Sequence, residues 1–405
     1  MKMNRWTLGL AAVGLVSLTP GLLAQTAAGP VAVPVTAMSA TTISGYVDTS
    51  AVWNPGSGNV NPAPYAFNNG KQDGFNLDAV DIKISKDANK DAASWSAGYN
   101  VELMYGPNAT VALGTWAPIR QAYVELRIPV GNGIGVKLGQ WDNVLGFEGT
   151  DSKDNLNWSR SYGYTIEPTE HIGVLAEYLL NSSVDLKVGV ANELSPGFNR
   201  NINAGGGNAS ETKKAIVSLI TLTAPDSWGA LKGSALYAGA DYGPGNALNH
   251  LGPGGHFVDK THVYLGAVVM TPVTGLKLGA AWDWVINSDI VPAQGAPLTY
   301  AGEASTYAGY ISYKLSDKAT VNARAEYACG SAFDNMFGQP NGSQVAKVLA
   351  FTGTFQYDLW ANVISRIEAR WDTSADGNNV FGADALRNRT KHNEFTVAAN
   401  VIYKF

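Results

Sequence analysis

The sequence predicts an all-β transmembrane protein, a single up-and-down antiparallel β-barrel of about 16 strands with long loops on one rim and short turns on the other. Three observations carry this reading. Apolar and polar residues alternate with a period of two in segment after segment. The connections between the segments alternate between short and long. After the amino-terminal leader no stretch is apolar for the about 18 consecutive residues that a helical span needs, and strands cross a bilayer only as a closed barrel.

Residues 1–28 carry Lys2 and Arg5, an apolar run from Leu8 to Ala24 interrupted by Thr19-Pro20-Gly21, and small residues up to Ala28. This is the layout of a secretory signal peptide, cleaved between Ala24 and Ala28. Its loss takes two cations from a chain of net charge −5 and leaves −7, which argues against nucleic acid as a partner. Residues 29–40 form a short Pro/Ala/Val linker, and 41–405 form the single barrel domain. The one cysteine, Cys329, excludes an internal disulfide. Charged residues make up 15% of the chain, well below the roughly 25% of soluble domains, while Gly, Tyr and Trp are abundant.

Two-periodic segments lie at 41–53, 75–86, 92–105, 118–129, 133–142, 171–180, 183–193, 213–224, 229–241, 260–271, 275–286, 302–315, 318–329, 344–358, 361–373 and 391–405. In "GLKLGAAWDWVI", Leu276, Leu278, Ala280, Trp282, Trp284 and Ile286 share one face and Lys277, Gly279, Ala281 and Asp283 the other. In "ANVISRIEARWD", Val363, Ile367, Ala369 and Trp371 oppose Asn362, Arg366, Glu368, Arg370 and Asp372. The final strand sets Phe395, Val397, Ala399, Val401, Tyr403 and Phe405 on one face, and only Ile402 and Ala398 interrupt the polar one.

Connections after even-numbered segments are tight ("PVGNG", "LNSS", "APDSW", "TPVTG", "LSDK", "YDLW"), and those after odd-numbered segments are long and rich in Gly, Pro and Asn. An up-and-down barrel gathers all short turns on one rim, and an even strand count returns both termini to it. The polar face carries Glu125, Arg127, Lys277, Asp283, Arg324, Glu326, Arg366, Glu368 and Arg370, charges that a dry core rejects and a water-filled lumen accepts. A barrel this large has a lumen too wide for wall side chains to fill. Trp95, Trp228, Trp360 and Phe405 fall near short turns, and Trp53, Trp116, Trp141, Trp284 and Trp371 toward long loops, as two interfacial girdles.

The terminal alternating strand ending on Phe405 resembles the carboxy-terminal signature of outer-membrane β-barrels. That resemblance implies that Tyr403 and Phe405 are read by the barrel-assembly machinery and that the last strand pairs with the first. A more specific likeness lies in residues 136–181, at Gly139, Gly146, Phe147, Glu148, Asn157, Trp158, Ser159, Arg160, Ser161, Tyr162, Glu167, Pro168, His171 and Gly173. This stretch is similar to the β-barrel porin-2 family of bacterial outer-membrane porins, with Gln140-Trp141 and Glu170-His171-Ile172 departing from its pattern. The resemblance implies a non-enzymatic diffusion channel for small hydrophilic solutes and ions, without cofactor or metal, embedded in outer-membrane lipid and open to homo-oligomerisation.

The connection 143–170 is the longest and carries Phe147, Trp158, Tyr162 and Tyr164, enough apolar surface to pack. In large porins the third long loop folds into the lumen, and this is the third. Its Glu148, Asp151, Asp154 and Arg160 are therefore candidate constriction residues, beside the wall charges above. "GGGNAS" and "GNGIGVK" lack the following helix that a phosphate loop requires. "DSKDN" and "DTSADGNN" lack regular calcium-ligand spacing. His171 beside Glu170 has no positioned nucleophile and reads as a loop-to-strand corner. The alternative function is an adhesin or membrane enzyme working through the long loops.

Overall fold

The computed structural model describes residues 40–405 except 57–61, 69–70, 72, 90–93, 110–117, 195–213, 245–258, 289–301, 332–346 and 383–388. The signal peptide, nearly all of the linker, Trp116 and "GGGNAS" lie outside the described residues. Strands β1 (Thr42–Trp53), β2 (Gly74–Lys86), β3 (Ser96–Tyr105), β4 (Ile119–Ile128), β5 (Ile134–Asp142), β6 (Glu170–Asn181), β7 (Val184–Ala191) and β8 (Ala215–Thr223) make up the first half. The second half comprises β9 (Ala235–Pro244), β10 (Asp259–Met270), β11 (Leu276–Ser288), β12 (Gly302–Lys314), β13 (Ala319–Cys329), β14 (Val348–Trp360), β15 (Val363–Ser374) and β16 (Asn393–Lys404). Each strand pairs antiparallel with its sequence neighbours, and β1 pairs with β16 to close the barrel.

The period of two sorts residues between lipid and lumen. On β15, Ile367 and Trp371 are exposed outward while Arg366, Glu368, Arg370 and Asp372 are buried inward. On β16, Phe395, Val401 and Tyr403 face out, and Glu394, Thr396 and Asn400 face in. Ile402 and Ala398, the two breaks in that alternation, pack inside the barrel, Ile402 with Tyr46, Met104 and Tyr164, and Ala398 with Val52 and Trp158. An apolar residue on the inner face is thus a sign of something filling the lumen behind it.

Two expectations need correction. Segment 229–241 begins late, because Asp226–Leu231 forms a 3₁₀ turn and the strand starts only at Ala235. Gly229 and Gly233 take positive φ of 57° and 77°, which breaks the extended path before the strand. The "APDSW" turn is accordingly the start of a longer connection. Trp141 is not a girdle residue. It shares the inward parity of Lys137 and Gly139, is fully buried, and packs with Leu175, Ala191 and Val217. A Cβ on Gly189 would lie 3.0 Å from its ring, a tight approach that glycine relieves. Trp95, Trp228 and Trp360 stand exposed beside the short connections, and Trp53 and Trp371 at the opposite ends of their strands.

The seam is built by the chain end itself. Gly45 and Phe405 exchange both backbone hydrogen bonds at 3.0 Å, and a Cβ on Gly45 would stand 2.7 Å from the Phe405 ring and 2.1 Å from the Asp81 carbonyl. Deleting Phe405 removes this last rung and one lipid-facing ring. The folded fraction, read by heat-modifiable migration of outer-membrane extracts, should fall severalfold with channel conductance of the survivors unchanged; normal levels would refute a role for the terminus in closure.

Candidate functional site: the loop across the lumen

Loop 143–169 leaves β5 and re-enters at β6, and its base is tied shut. Asn143 N donates to Thr169 O at 2.8 Å, and Asn143 Nδ2 to Pro168 O at 2.9 Å. Asn155 Nδ2 holds the first turn by donating to Gly149 O (2.8 Å) and Asp151 O (2.7 Å). The buried Arg160 folds back on the loop, donating to Gly149 O, Trp158 O and Thr150 O at 2.8–3.1 Å. Its guanidinium lies 5.2 Å from the Phe67 ring centre and 5.7 Å from that of Tyr164. Ser161 then caps the single-turn helix Tyr162–Ile166, accepting from Tyr164 N at 3.0 Å. So much self-satisfied backbone allows the segment to sit away from bulk water.

The loop bonds to the wall on three sides. Toward β13–β15, Arg324 donates to Glu148 Oε1 (2.6 Å) and Ser159 O (2.8 Å), and Arg370 to Arg160 O (2.7 Å). Arg366 donates to Ser152 O (2.9 Å) and Asn155 O (2.7 Å). Glu368 accepts from the backbone of Trp158 (2.6 Å) and Ser159 (3.0 Å), and Glu326 from Tyr162 N (2.7 Å). Toward β1–β4, Trp158 Nε1 donates to Asp78 Oδ2 (3.1 Å), Tyr46 to Asp151 (3.2 Å), and Arg120 pairs with Asp151 (3.3 Å). On a third side Leu145 and Phe147 pack against Leu219, Tyr264 and Tyr310, the Phe147 and Tyr310 rings stacked 3.9 Å apart. A segment that touches β1, β4, β8, β12 and β15 spans the lumen.

Its charges are set by these neighbours. Burial alone would raise Asp151, but Arg120 and Lys153 outweigh it and hold the carboxyl below its usual range. Lys153 is raised in turn, its burial outweighed by Asp151 and Asp154. Glu167 behaves oppositely: burial, then Asp283 and Glu148, push it well above 4.5. A group whose folded value is raised stabilises fully below its unfolded value and loses that contribution as pH rises. Glu167→Gln should therefore match the native protein below about pH 4 and become the more heat-resistant of the two toward about pH 8. Parallel midpoints of heat-modifiable migration across that range would remove Glu167 as the source.

The predicted residues fall into separate groups. Glu148, Asp151, Arg160, Arg324, Glu326, Arg366, Glu368 and Arg370 are drawn together at the loop–wall contact. Lys277 is exposed and borders a cavity of about 340 Å³ with Glu148, Asp154 and Tyr310. Asp283 is buried against His262. Glu125 accepts from Ala88 N (3.2 Å) and Arg127 donates to Asn132 O (2.7 Å), both near the short-turn rim and away from the loop. Tyr403 and Phe405 lie outside the lumen. Asp151 and Asp154 of "DSKDN" pair with Lys153.

Residues that the period missed include Arg120, which pairs with Glu102, Asp142 and Asp151. A bulge between β3 and β4, where Glu102 faces Gln121 and Leu103 faces Ile119, leaves Arg120 as the extra residue and turns it inward. The first long loop also enters: Tyr65 stacks on Arg370 at 3.9 Å and Ala63 N donates to Glu394 (2.7 Å). Its "PAPYAF" aromatics were the available signal.

A family model described as "Putative beta-barrel porin-2, OmpL-like" matches residues 40–405. Among solved structures, the anion-selective porin from Comamonas acidovorans superposes with a TM-score of 0.59 at 13% identity, covering 90% of this chain and 99% of that one. The outer membrane channel DcaP of Acinetobacter baumannii gives 0.58 at 12% identity over 90% and 97%, and OprB of Pseudomonas putida 0.58 at 11% over 90% and 94%. No curated protein matches the chain.

Proposed function

This chain belongs to the putative β-barrel porin-2, OmpL-like family and is an outer-membrane porin, and from that premise we propose that it conducts small hydrophilic solutes and ions by passive diffusion through a lumen narrowed by loop 143–169. The observation that carries the reading is the loop's attachment to opposite walls, through Asp151 to Arg120 of β4 on one side and through Phe147 stacked on Tyr310 of β12, eight strands away, on the other. Such a crossing sets the size limit at the loop and not at the wall. No catalysis is assigned, since the family and its structural neighbours are channels.

In this reading both termini are periplasmic, residues 1–28 are removed on export, and the long loops face outward. The purified protein in liposomes should pass ions and small sugars with a sharp size limit, and sealed vesicles would sink the proposal. Tags inserted at Gly205 and Gly254 should be reached on intact cells and one at Asp317 should not. The opposite pattern would invert the barrel.

A further inference from the structure

Between loop 143–169 and the inner wall of β9–β12 lies the cavity of about 340 Å³. It sits toward the short-turn end of the lumen, since Lys277 is the second residue of β11 and Ser312 faces it across the β11–β12 pair. Much of its lining is aromatic: Tyr237 and Tyr264 come from the wall, and Phe147 comes from the loop, stacked on Tyr310 at 3.9 Å. Two glycines let these rings approach the strands. A Cβ on Gly266 would collide with the Tyr264 phenol, and one on Gly279 with the Phe147 ring.

The polar groups of the lining divide into those already engaged and those left free. Glu148 accepts from Arg324 at 2.6 Å and from Ser161 N at 2.7 Å, and Asp154 pairs with Lys153 at 2.5 Å. The Asn155 amide is held by Gly149 and Asp151. Among the described residues, Lys277, Ser312, Tyr237 and Tyr264 make no side-chain hydrogen bond or ion pair. The cavity therefore presents one unpaired cation, three hydroxyls and several aromatic rings to a guest. Both lining carboxylates are compensated by cations other than Lys277, so an anion beside Lys277 meets no uncompensated like charge. A volume near the small end of ligand cavities holds a single ring.

We propose that this cavity is a subsite for one small monocyclic aromatic carboxylate of the benzoate type, with its carboxylate on Lys277 and its ring against Tyr237, Tyr264 and Phe147. A planar ring gains offset or edge-to-face contact with those side chains that a saturated ring of the same size does not. The inference rests on the diffusion reading above and names one class of solute that pauses beside the loop on its way through.

The test places the full-length protein in planar bilayers at about 0.1 M salt, where charges are screened over about 10 Å. Sodium benzoate should interrupt the single-channel current, and the frequency of interruptions against concentration gives an apparent Kd. Cyclohexanecarboxylate, equal in charge but saturated, should bind about 3–10-fold more weakly. Benzyl alcohol, which keeps the ring and lacks the charge, should bind about 5-fold more weakly. Lys277→Gln should weaken benzoate by about the same 5-fold, Lys277→Arg should restore it, and the difference should shrink in about 1 M salt. Lys277 is exposed and unpaired, so neither substitution disturbs the fold. Should either variant fail to fold, the three ligands on the native channel still decide. Open channels that bind benzoate no better than cyclohexanecarboxylate, or no more weakly after Lys277→Gln, would overturn the subsite and leave the diffusion reading standing. Channels closed to ions would overturn that reading and the subsite with it.

Discussion

Excising residues 150–160 should raise single-channel conductance severalfold and admit larger neutral sugars in liposome swelling. The segment holds Trp158, which reaches Asp78, and the Ser152, Asn155, Ser159 and Arg160 carbonyls that accept from Arg366, Arg324 and Arg370. Its removal takes away the middle of the crossing and leaves the closed strand network untouched. A correctly folded deletion with the native conductance and size limit would show that the wall charges alone filter solutes.

Replacing Arg324 and Arg370 with alanine should free the loop without shortening it. Arg324 pairs with Glu148 and Glu326 at 2.6 and 2.7 Å, and Arg370 with Asp372 at 2.8 Å, all buried. Breaking a buried pair by removing one partner costs about 3–5 kcal/mol, because the remaining carboxylate stays desolvated and alone. Both losses lie beside the same loop and remove its bonds to Glu148, Ser159 and Arg160. Conductance should rise, though by less than in the deletion, and trypsin should cut at Lys153 or Arg160 in the folded barrel, where Arg160 is now 1% exposed. Intact loops under trypsin with unchanged conductance would refute an anchoring role. These arginines face loop carbonyls and buried carboxylates and not open water, so the expected first effect of neutralising them is on loop position and only then on ion selectivity.

How much of this was legible differs by residue. The inward turn of Arg324, Arg366 and Arg370 could be read because each sits in an unbroken two-residue period on a single strand. Arg120 could not, since a bulge that depends on pairing between β3 and β4 reverses its side. Trp141 was misplaced for a related reason: an aromatic at a strand end suggests lipid, while its parity, shared with Lys137, points it inward against Gly189. The meeting of Phe147 with Tyr310 carries no local pattern at all, the two being far apart along the chain and joined only by the order of strands around the barrel.

Strand number, the face that most side chains take and the alternation of short and long connections are local properties, written in every second residue and in the spacing of turns, whereas the seam at Phe405 was what the resemblance to outer-membrane barrels implied. The sequence alone therefore determined the barrel. Which loop charge meets which wall charge is decided by residues as distant as Trp158 and Glu368 or Arg324 and Glu148. Those contacts exist only after closure has brought the walls to either side of one loop, so the tertiary structure alone decided them: a period of two records a direction, inward or outward, and nothing about what lies across the lumen.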